Sequence, residues 1–329
     1  MGNEQIKPIQ IGVVGLGLMG SSIVVSLLAA GYPVIALAPV PGEKNKAATQ
    51  IANLLRHAGS AGILPRGIPA CIDALKLVED YEQLADCRVV LECVVEDQEI
   101  KSTVYEQIAA SVDSETIIAS NTSAIPISEL QLLVPHPGRF LGIHWAEPAY
   151  MTRFLEVTCG TETDLSIAEY VVSLGLTWGK EPTLLKKDIR GFITNRLMYA
   201  VYREALSLVE AGHTTLADAD KAMRYDAGAW ITLMGIFRRM KFMGLEDSMN
   251  TFKQLFGQLS NREDVPAIMQ QLVKDGGKGI HNRSGLYGYT EAHAKKWEKV
   301  FAEFNQDIYE LASRYNEGHL PQLKEEHIL

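Results

Sequence analysis

No stretch of this sequence approaches the roughly 20 consecutive apolar residues that a membrane-spanning helix needs. Residues 1–10 are polar and carry Pro8, so no secretory leader is expected there. Ile6 stands where N-myristoylation favours Ser or Thr. Runs of basic residues are missing too. The densest groups are Lys186-Lys187 and Arg238-Arg239-Lys241, and the net charge is −9. Nucleic-acid binding rests on neutralising phosphates, so this balance speaks against it. The cysteines are few: Cys71, Cys87, Cys93 and Cys159, with no C-x-x-C pair. They read as reduced thiols in a cytoplasmic protein, with no metal site and with Cys93 inside a buried strand. What remains is a soluble protein that handles a small molecule.

A chain of 329 residues that is 47% hydrophobic and 22% charged can bury a large core. At roughly 150 residues per domain it suggests two domains. Residues 9–14 are a short Ile/Val run ending at Gly15, as in a buried parallel strand. A helix is expected over 18–30, ended by Gly31, and a second strand over 33–38, together one βαβ unit. A helix over 43–57 and a turn over 59–67 follow. Further strands are expected at 88–95, 116–119, 140–144, 154–158 and near 182–185, with helices at 98–112 and 164–174.

Strands alternating with helices predict a Rossmann-type doubly wound, mostly parallel sheet. After Asp188 the pattern turns helical, over 193–211, 216–223, 266–273 and 291–314, with no strand beyond Lys187 and a loose polar tail at 320–329. The expected division is 1–188, an α/β dinucleotide-binding domain, and 189–329, an all-helical domain.

Gly15-Leu16-Gly17-Leu18-Met19-Gly20 fits G-x-G-x-x-G between a strand and a helix, the context that gives this short pattern meaning. Gly15 permits the sharp turn, Gly17 admits a pyrophosphate, and Gly20 lets helix and strand pack closely. Leu18 and Met19 open the helix, whose N-terminal N–H groups and partial positive charge suit phosphate. The acidic residue that such sites place at the end of the second strand is missing, because Ala38-Pro39 stands there. Either the ribose is held differently, or Lys44 and Lys46 accept a 2′-phosphate. NAD is the expected cofactor and NADP the alternative.

His144 is expected at the carboxyl end of a strand, where open α/β sheets bind ligands. Glu156 follows in the next strand, and a turn around Pro148 could bring the two together. Imidazole suits the removal of a hydroxyl proton near neutral pH. A carboxylate on its other nitrogen would fix the tautomer and stabilise the imidazolium. A structural histidine is the plainer alternative from spacing alone.

Four further motifs, in order, are Ser120-Asn121-Thr122-Ser123, Gly142-Ile143-His144, Phe154-Leu155-Glu156-Val157 and Gly191-Phe192-Ile193-Thr194-Asn195-Arg196. They resemble the 3-hydroxyacyl-CoA dehydrogenase family, and the likeness runs over almost the whole chain. Asp220-Lys221-Ala222-Met223 and Gly285-Leu286-Tyr287-Gly288-Tyr289 match two later landmarks. The resemblance implies His144 as general base, Glu156 as its partner, and Ser123 and Asn195 on the substrate oxygen. It implies Glu96, Lys101 and Asn121 at the cofactor, a substrate cleft between the domains, and a homodimer.

Three departures bear on the substrate. His144-Trp145-Ala146-Glu147-Pro148 carries Glu where the family has Asn. A Glu147 facing the cleft would disfavour an anionic CoA arm and favour a cationic or polyhydroxylated compound; otherwise it points to solvent. The segment between the second strand and Arg88 is shorter than the helical hairpin that holds CoA. Residues 225–237 are similar to relatives acting on free hydroxy acids, such as L-gulonate and L-carnitine dehydrogenases. The leading expectation is a 3-hydroxybutyryl-CoA type of dehydrogenase of fatty acid metabolism. The second is a dehydrogenase of a small non-CoA 3-hydroxy acid or sugar acid, and the third a non-catalytic, crystallin-like dinucleotide binder.

Overall fold

A computed structural model describes residues 9–279, 282–288 and 290–314. The start at 1–8, the tail at 320–329 and Tyr289 lie outside the described residues. The chain divides into two compact units, Met1–Ile193 and Thr194–Leu329.

The first unit runs β1 (Ile11–Val14), α1 (Leu18–Ala29), β2 (Val34–Leu37), α2 (Lys44–Ser60), α3 (Gly67–Asp73), β3 (Leu75–Val78), β4 (Val89–Glu92), α4 (Gln98–Ser111), β5 (Ile117–Ser120), α5 (Ile127–Leu130), β6 (Phe140–Trp145), β7 (Phe154–Cys159), α6 (Leu165–Thr177) and β8 (Glu181–Leu185). Its eight strands form one sheet in the order β3-β2-β1-β4-β5-β6-β7-β8. All neighbours are parallel except β6 and β7, which run antiparallel.

Strands β1, β2, β4 and β5 are buried at every position, which explains their mostly Ile/Val/Leu/Ala character, broken by Gly12 and by Glu92 and Ser120 at the strand ends. One apolar layer joins Ile23, Leu27 and Leu28 of α1 with Ile51 and Leu55 of α2 and Val171 and Leu174 of α6. The other joins Val104, Tyr105 and Ile108 of α4 with Ile127 and Leu130 of α5. Each such side chain removed from water contributes about 1.5–3 kcal/mol. Helix α1 is buried from Gly20 to Leu28, Ser21, Ser22 and Ser26 included, so it carries no charged face.

Several boundaries differ from the sequence expectation. Strand β3 and helix α3 are not expected from the pattern; β3 is a four-residue edge strand, and Lys76 interrupts its apolar run. The turn expected over 59–67 is shorter, since α2 continues to Ser60 and α3 begins at Gly67. Cys93 falls just beyond β4 and is partly exposed, not inside the strand, although its N–H still donates to the Val14 carbonyl at 2.8 Å. All four cysteines are free thiols.

The second unit contains α7 (Thr194–Glu210), α8 (Leu216–Ala222), α9 (Gly228–Met243), α10 (Leu245–Leu255), α11 (Ala267–Lys274) and α12 (Glu291–Arg314), with a π-helical turn, Met223–Ala227, between α8 and α9. Glu204 and Glu210 on α7 accept from the Ser260 and Ile268 N–H groups at 2.7 and 3.0 Å. The Tyr287 hydroxyl donates to Asp220 at 2.6 Å, so the two late landmarks meet. Among the described residues of this unit none is buried. No helix of the described residues is long and apolar enough to cross a membrane.

Candidate active site

Helix α1 begins directly after β1. Gly15 takes φ +91°, in the left-handed region, and its N–H donates to Leu37 at 3.0 Å. A Cβ at Gly20 would lie 1.9 Å from the Gly15 carbonyl oxygen, so only glycine lets the helix come this close. Around a Cβ built on Gly17 nothing lies within 4 Å. Gly17 caps α1 without a side-chain hydrogen bond, and the first turn carries no acid. The turn thus leaves room at Gly17, beside a helix N-terminus whose free N–H groups carry the partial positive charge that suits a pyrophosphate. Leu18 is exposed, and Met19 packs partly against the core. These residues fit a dinucleotide. At the end of β2 stands buried Ala38, so the customary acid is missing from that strand.

The carboxyl end of β4 carries a charge network. Glu92 is fully buried and accepts from Lys101 at 2.8 and 2.9 Å, Tyr105 and Ser120 hydroxyls at 2.8 and 2.7 Å, and the Val94 N–H at 2.7 Å. Lys101, itself 1% exposed, also lies 3.2 Å from Glu96. Glu96 accepts from the Thr122 hydroxyl and from the Ser123 and Ala124 N–H groups at 3.3 Å. Partial burial works to raise the Glu96 carboxyl; the Thr122 hydroxyl and the Lys101 ammonium outweigh it and hold it below the usual range. Glu96 and Lys101 thus shape the loop that carries Ser123. Asn121 in that loop donates its backbone N–H to the Glu92 carbonyl at 2.8 Å and accepts the Trp145 N–H on its side chain at 3.0 Å.

His144 on β6 and Glu156 on β7 are direct register partners in the antiparallel pair, with Nδ1 3.1 Å from Oε2. Paired positions on one face stand side by side, so the ladder itself creates this contact. Glu156 is fully buried, and its other oxygen accepts the Ile193 N–H at 2.9 Å. Gly191 and Phe192 both take positive φ, 82° and 49°, on the way to Ile193. The imidazole packs between Phe154 and Phe192, with ring centroids 5.5 and 5.9 Å away.

Residues 146–153 join the two strands and are tied down from three directions. Ser22 of α1 accepts the Ala149 N–H at 2.8 Å. Buried Lys180 donates to the carbonyls of Ala149 and Thr152, the latter at 2.6 Å. His57 of α2 bonds the Tyr150 hydroxyl at 2.8 Å. Burial pulls the Lys180 ammonium down to about 7, and Arg153 adds to the effect. Glu147 in this segment is half-buried, and its Oε2 is shielded with no hydrogen-bond partner among the described residues. Burial raises its carboxyl, against the Ser22 hydroxyl.

Ser22 and Lys180 were not among the expected site residues. A serine pair inside an otherwise apolar helix was the one visible signal for Ser22, whereas a single lysine after Gly179 gave none. Asn195 is the second residue of α7, in the second unit.

The chain is similar to known proteins over most of its length. The NAD-binding domain model of the 3-hydroxyacyl-CoA dehydrogenases matches residues 10–189, and the model of their C-terminal domain matches 191–289. The chain is 30% identical to the 5-formyl-3-hydroxy-2-methylpyridine 4-carboxylate 5-dehydrogenase of Mesorhizobium japonicum, over 87% of this chain and 92% of that protein. It is 32% identical to L-carnitine dehydrogenase of Oceanobacillus iheyensis, over 75% and 80%. It is 29% identical to 3-hydroxybutyryl-CoA dehydrogenase of Mycobacterium tuberculosis, over 85% and 98%. A crystal structure of the formyl-hydroxy-methylpyridine carboxylate dehydrogenase, described as an NAD+-dependent dismutase, aligns at a TM-score of 0.86 and 28% identity, covering 94% of this chain and all of that one.

Proposed function

This chain belongs to the 3-hydroxyacyl-CoA dehydrogenase family, as an oxidoreductase with an NAD-binding domain, and from that footing we propose that it interconverts a hydroxyl and a ketone on a small substrate that carries no CoA. The observation that carries the reading is the His144–Glu156 contact at 3.1 Å, with the carboxylate buried and held from behind by Ile193.

With Nδ1 committed to Glu156, His144 presents Nε2 to a substrate hydroxyl and takes its proton. Glu156 then faces an imidazolium, whose charge it stabilises. The NAD ring, when bound, supplies the acceptor for the hydride. Ser123 offers its hydroxyl to the substrate oxygen as charge shifts there. The same role for Asn195 rests on the sequence motif.

Two things favour a substrate without CoA. Glu147 places a half-buried carboxylate three residues from the base, and relatives named for pyridine carboxylate and carnitine match the chain at 30% and 32% identity. The 3-hydroxyacyl-CoA reading is supported by the 98% coverage of a 3-hydroxybutyryl-CoA dehydrogenase. Following the reduced nicotinamide absorbance with L-carnitine, L-gulonate, a pyridine carbaldehyde and acetoacetyl-CoA separates the two. Turnover of acetoacetyl-CoA alone removes the first. In either case His144→Gln should lower turnover by ~10²–10⁴ and leave NADH affinity nearly unchanged; full turnover without His144 ends the proposal.

A homodimer formed through the second unit belongs to the same reading. Tyr199, Phe237, Phe242 and Phe256 there are 68%, 78%, 69% and 61% exposed. Helices this apolar and this uncovered need a partner, and a second copy supplies the matching faces. Light scattering on the purified chain should give twice the chain mass; a monomer at micromolar concentration refutes the dimer. A cytoplasmic location fits the four free thiols.

A further inference from the structure

The glycine turn fits a pyrophosphate, yet β2 ends in Ala38-Pro39, and no carboxylate on that strand can take the adenosine ribose hydroxyls. Strand β3 lies next to β2 in parallel register, Leu37 opposite Val78. The Ala38 N–H continues that ladder onto the Val78 carbonyl at 3.0 Å. Glu79, the first residue past β3, therefore stands level with Ala38, one strand spacing of about 4.8 Å away. Its side chain turns back across β2 and not off the sheet edge: Oε1 lies 3.5 Å from the N–H of Gly42, in the loop that follows β2. Glu79 is exposed, so its carboxylate is open to a bound ligand.

We infer that Glu79 supplies from β3 the carboxylate missing from β2, accepting hydrogen bonds from the vicinal diol of the adenosine ribose and repelling a 2′-phosphate there. The inference rests on the NAD-dependent reading of the same site. Glu43 is the N-cap of α2 and starts the helix with helical dihedrals, while Asp80 caps the short 3₁₀ turn Tyr81–Leu84. Lys44 and Lys46 occupy the first turn of α2 and are the groups that a 2′-phosphate would seek. Glu79 is thus the acid at the level of the missing one, and the two lysines are its competitors for deciding between the two dinucleotides.

The test is titration of the purified full chain with NADH and, separately, NADPH, followed by nicotinamide fluorescence and calorimetry. Wild type should prefer NADH. Glu79→Gln should weaken NADH roughly 10-fold, the value of hydrogen bonds to a charged acceptor, and leave NADPH unchanged or tighter. Glu43→Gln, with melting temperature as the fold control, should change neither. An E79Q protein that binds NADH within about twofold of wild type overturns the inference and leaves the proposed dehydrogenase reading intact. So does an E43Q protein that loses NADH, or a wild type that prefers NADPH. A wild type that binds neither dinucleotide refutes both at once.

Discussion

The backbone N–H of Ile193 holds one oxygen of Glu156 at 2.9 Å, which leaves the other oxygen to His144. The carboxylate is therefore oriented before any substrate arrives. Its net negative charge is the part that an amide cannot copy. Glu156→Gln should fold, keep NADH affinity, and lose ~10²–10⁴ in kcat, because the imidazolium formed on proton removal faces a neutral partner. Stopped-flow or steady-state turnover measures it. A Glu156→Gln enzyme with wild-type kcat would show that the carboxylate serves packing alone.

The glycines of the first turn separate binding from folding. Gly17→Ala adds a methyl group into open space, so the melting temperature should hold while NADH affinity drops ~10-fold or more through a clash with the ligand. Gly20→Ala drives the same methyl group into the Gly15 carbonyl and should cost on the order of 2–3 kcal/mol. Melting curves and NADH titration of both variants report the split. A Gly17→Ala protein with undiminished NADH binding would rule out the turn as the phosphate site.

Glu147 carries a carboxyl raised by burial. Such a group binds protons more tightly in the folded chain than in the unfolded one, so stability declines as pH rises through the region above the ordinary carboxyl range. Glu147→Gln should flatten that decline and raise the midpoint at neutral pH by ~1 kcal/mol or less, a few degrees at most. Melting temperatures across acid to neutral pH test it; a parallel offset at all pH values contradicts the assignment.

Lys180 shifts the other way. Its ammonium titrates near 7 in the folded chain against 10.5 for the ordinary group. The unfolded chain binds the extra proton between those values, so stability should rise with pH across that window, and below about 7 the cost of burying the charge is felt in full. The neutral amine can still donate to Ala149 and Thr152. Urea midpoints for wild type and Lys180→Met, at about pH 6 and about pH 9, give the comparison. The wild-type rise should be lost in the variant, and a rise of equal size in both would assign it to another group.

Much of the first unit was legible because its strands are buried on both faces and its helices are apolar toward the sheet. Residues such as Val34–Leu37 have few other places to go. The His144–Glu156 pairing was legible as residue types and order, with a turn around Pro148 between them; the antiparallel register that sets the two side by side was not. Strand β3 escaped notice because an edge strand with Lys76 in it has no continuous apolar run. Lys101 reads in sequence as one more cofactor-lining residue, yet it is buried between two carboxylates. Hydrogen-bond partners distant in sequence, such as Ser120 and Glu92 or Lys180 and Ala149, leave no periodic trace, since the fold alone brings them together.

The hairpin of β6 and β7 has a consequence for how such an enzyme can change. His144 and Glu156 are locked by ladder bonds on either side of residues 146–153, and a one-residue slip in either strand would turn one of them to the opposite face. The connecting segment is held differently, by the hydrogen bonds to Ser22, Lys180 and His57 and not by strand register. Substitutions at its half-buried positions, Glu147 above all, can alter the surroundings of His144 while the His144–Glu156 pair stays where the sheet put it, so the bend and the pair can vary separately.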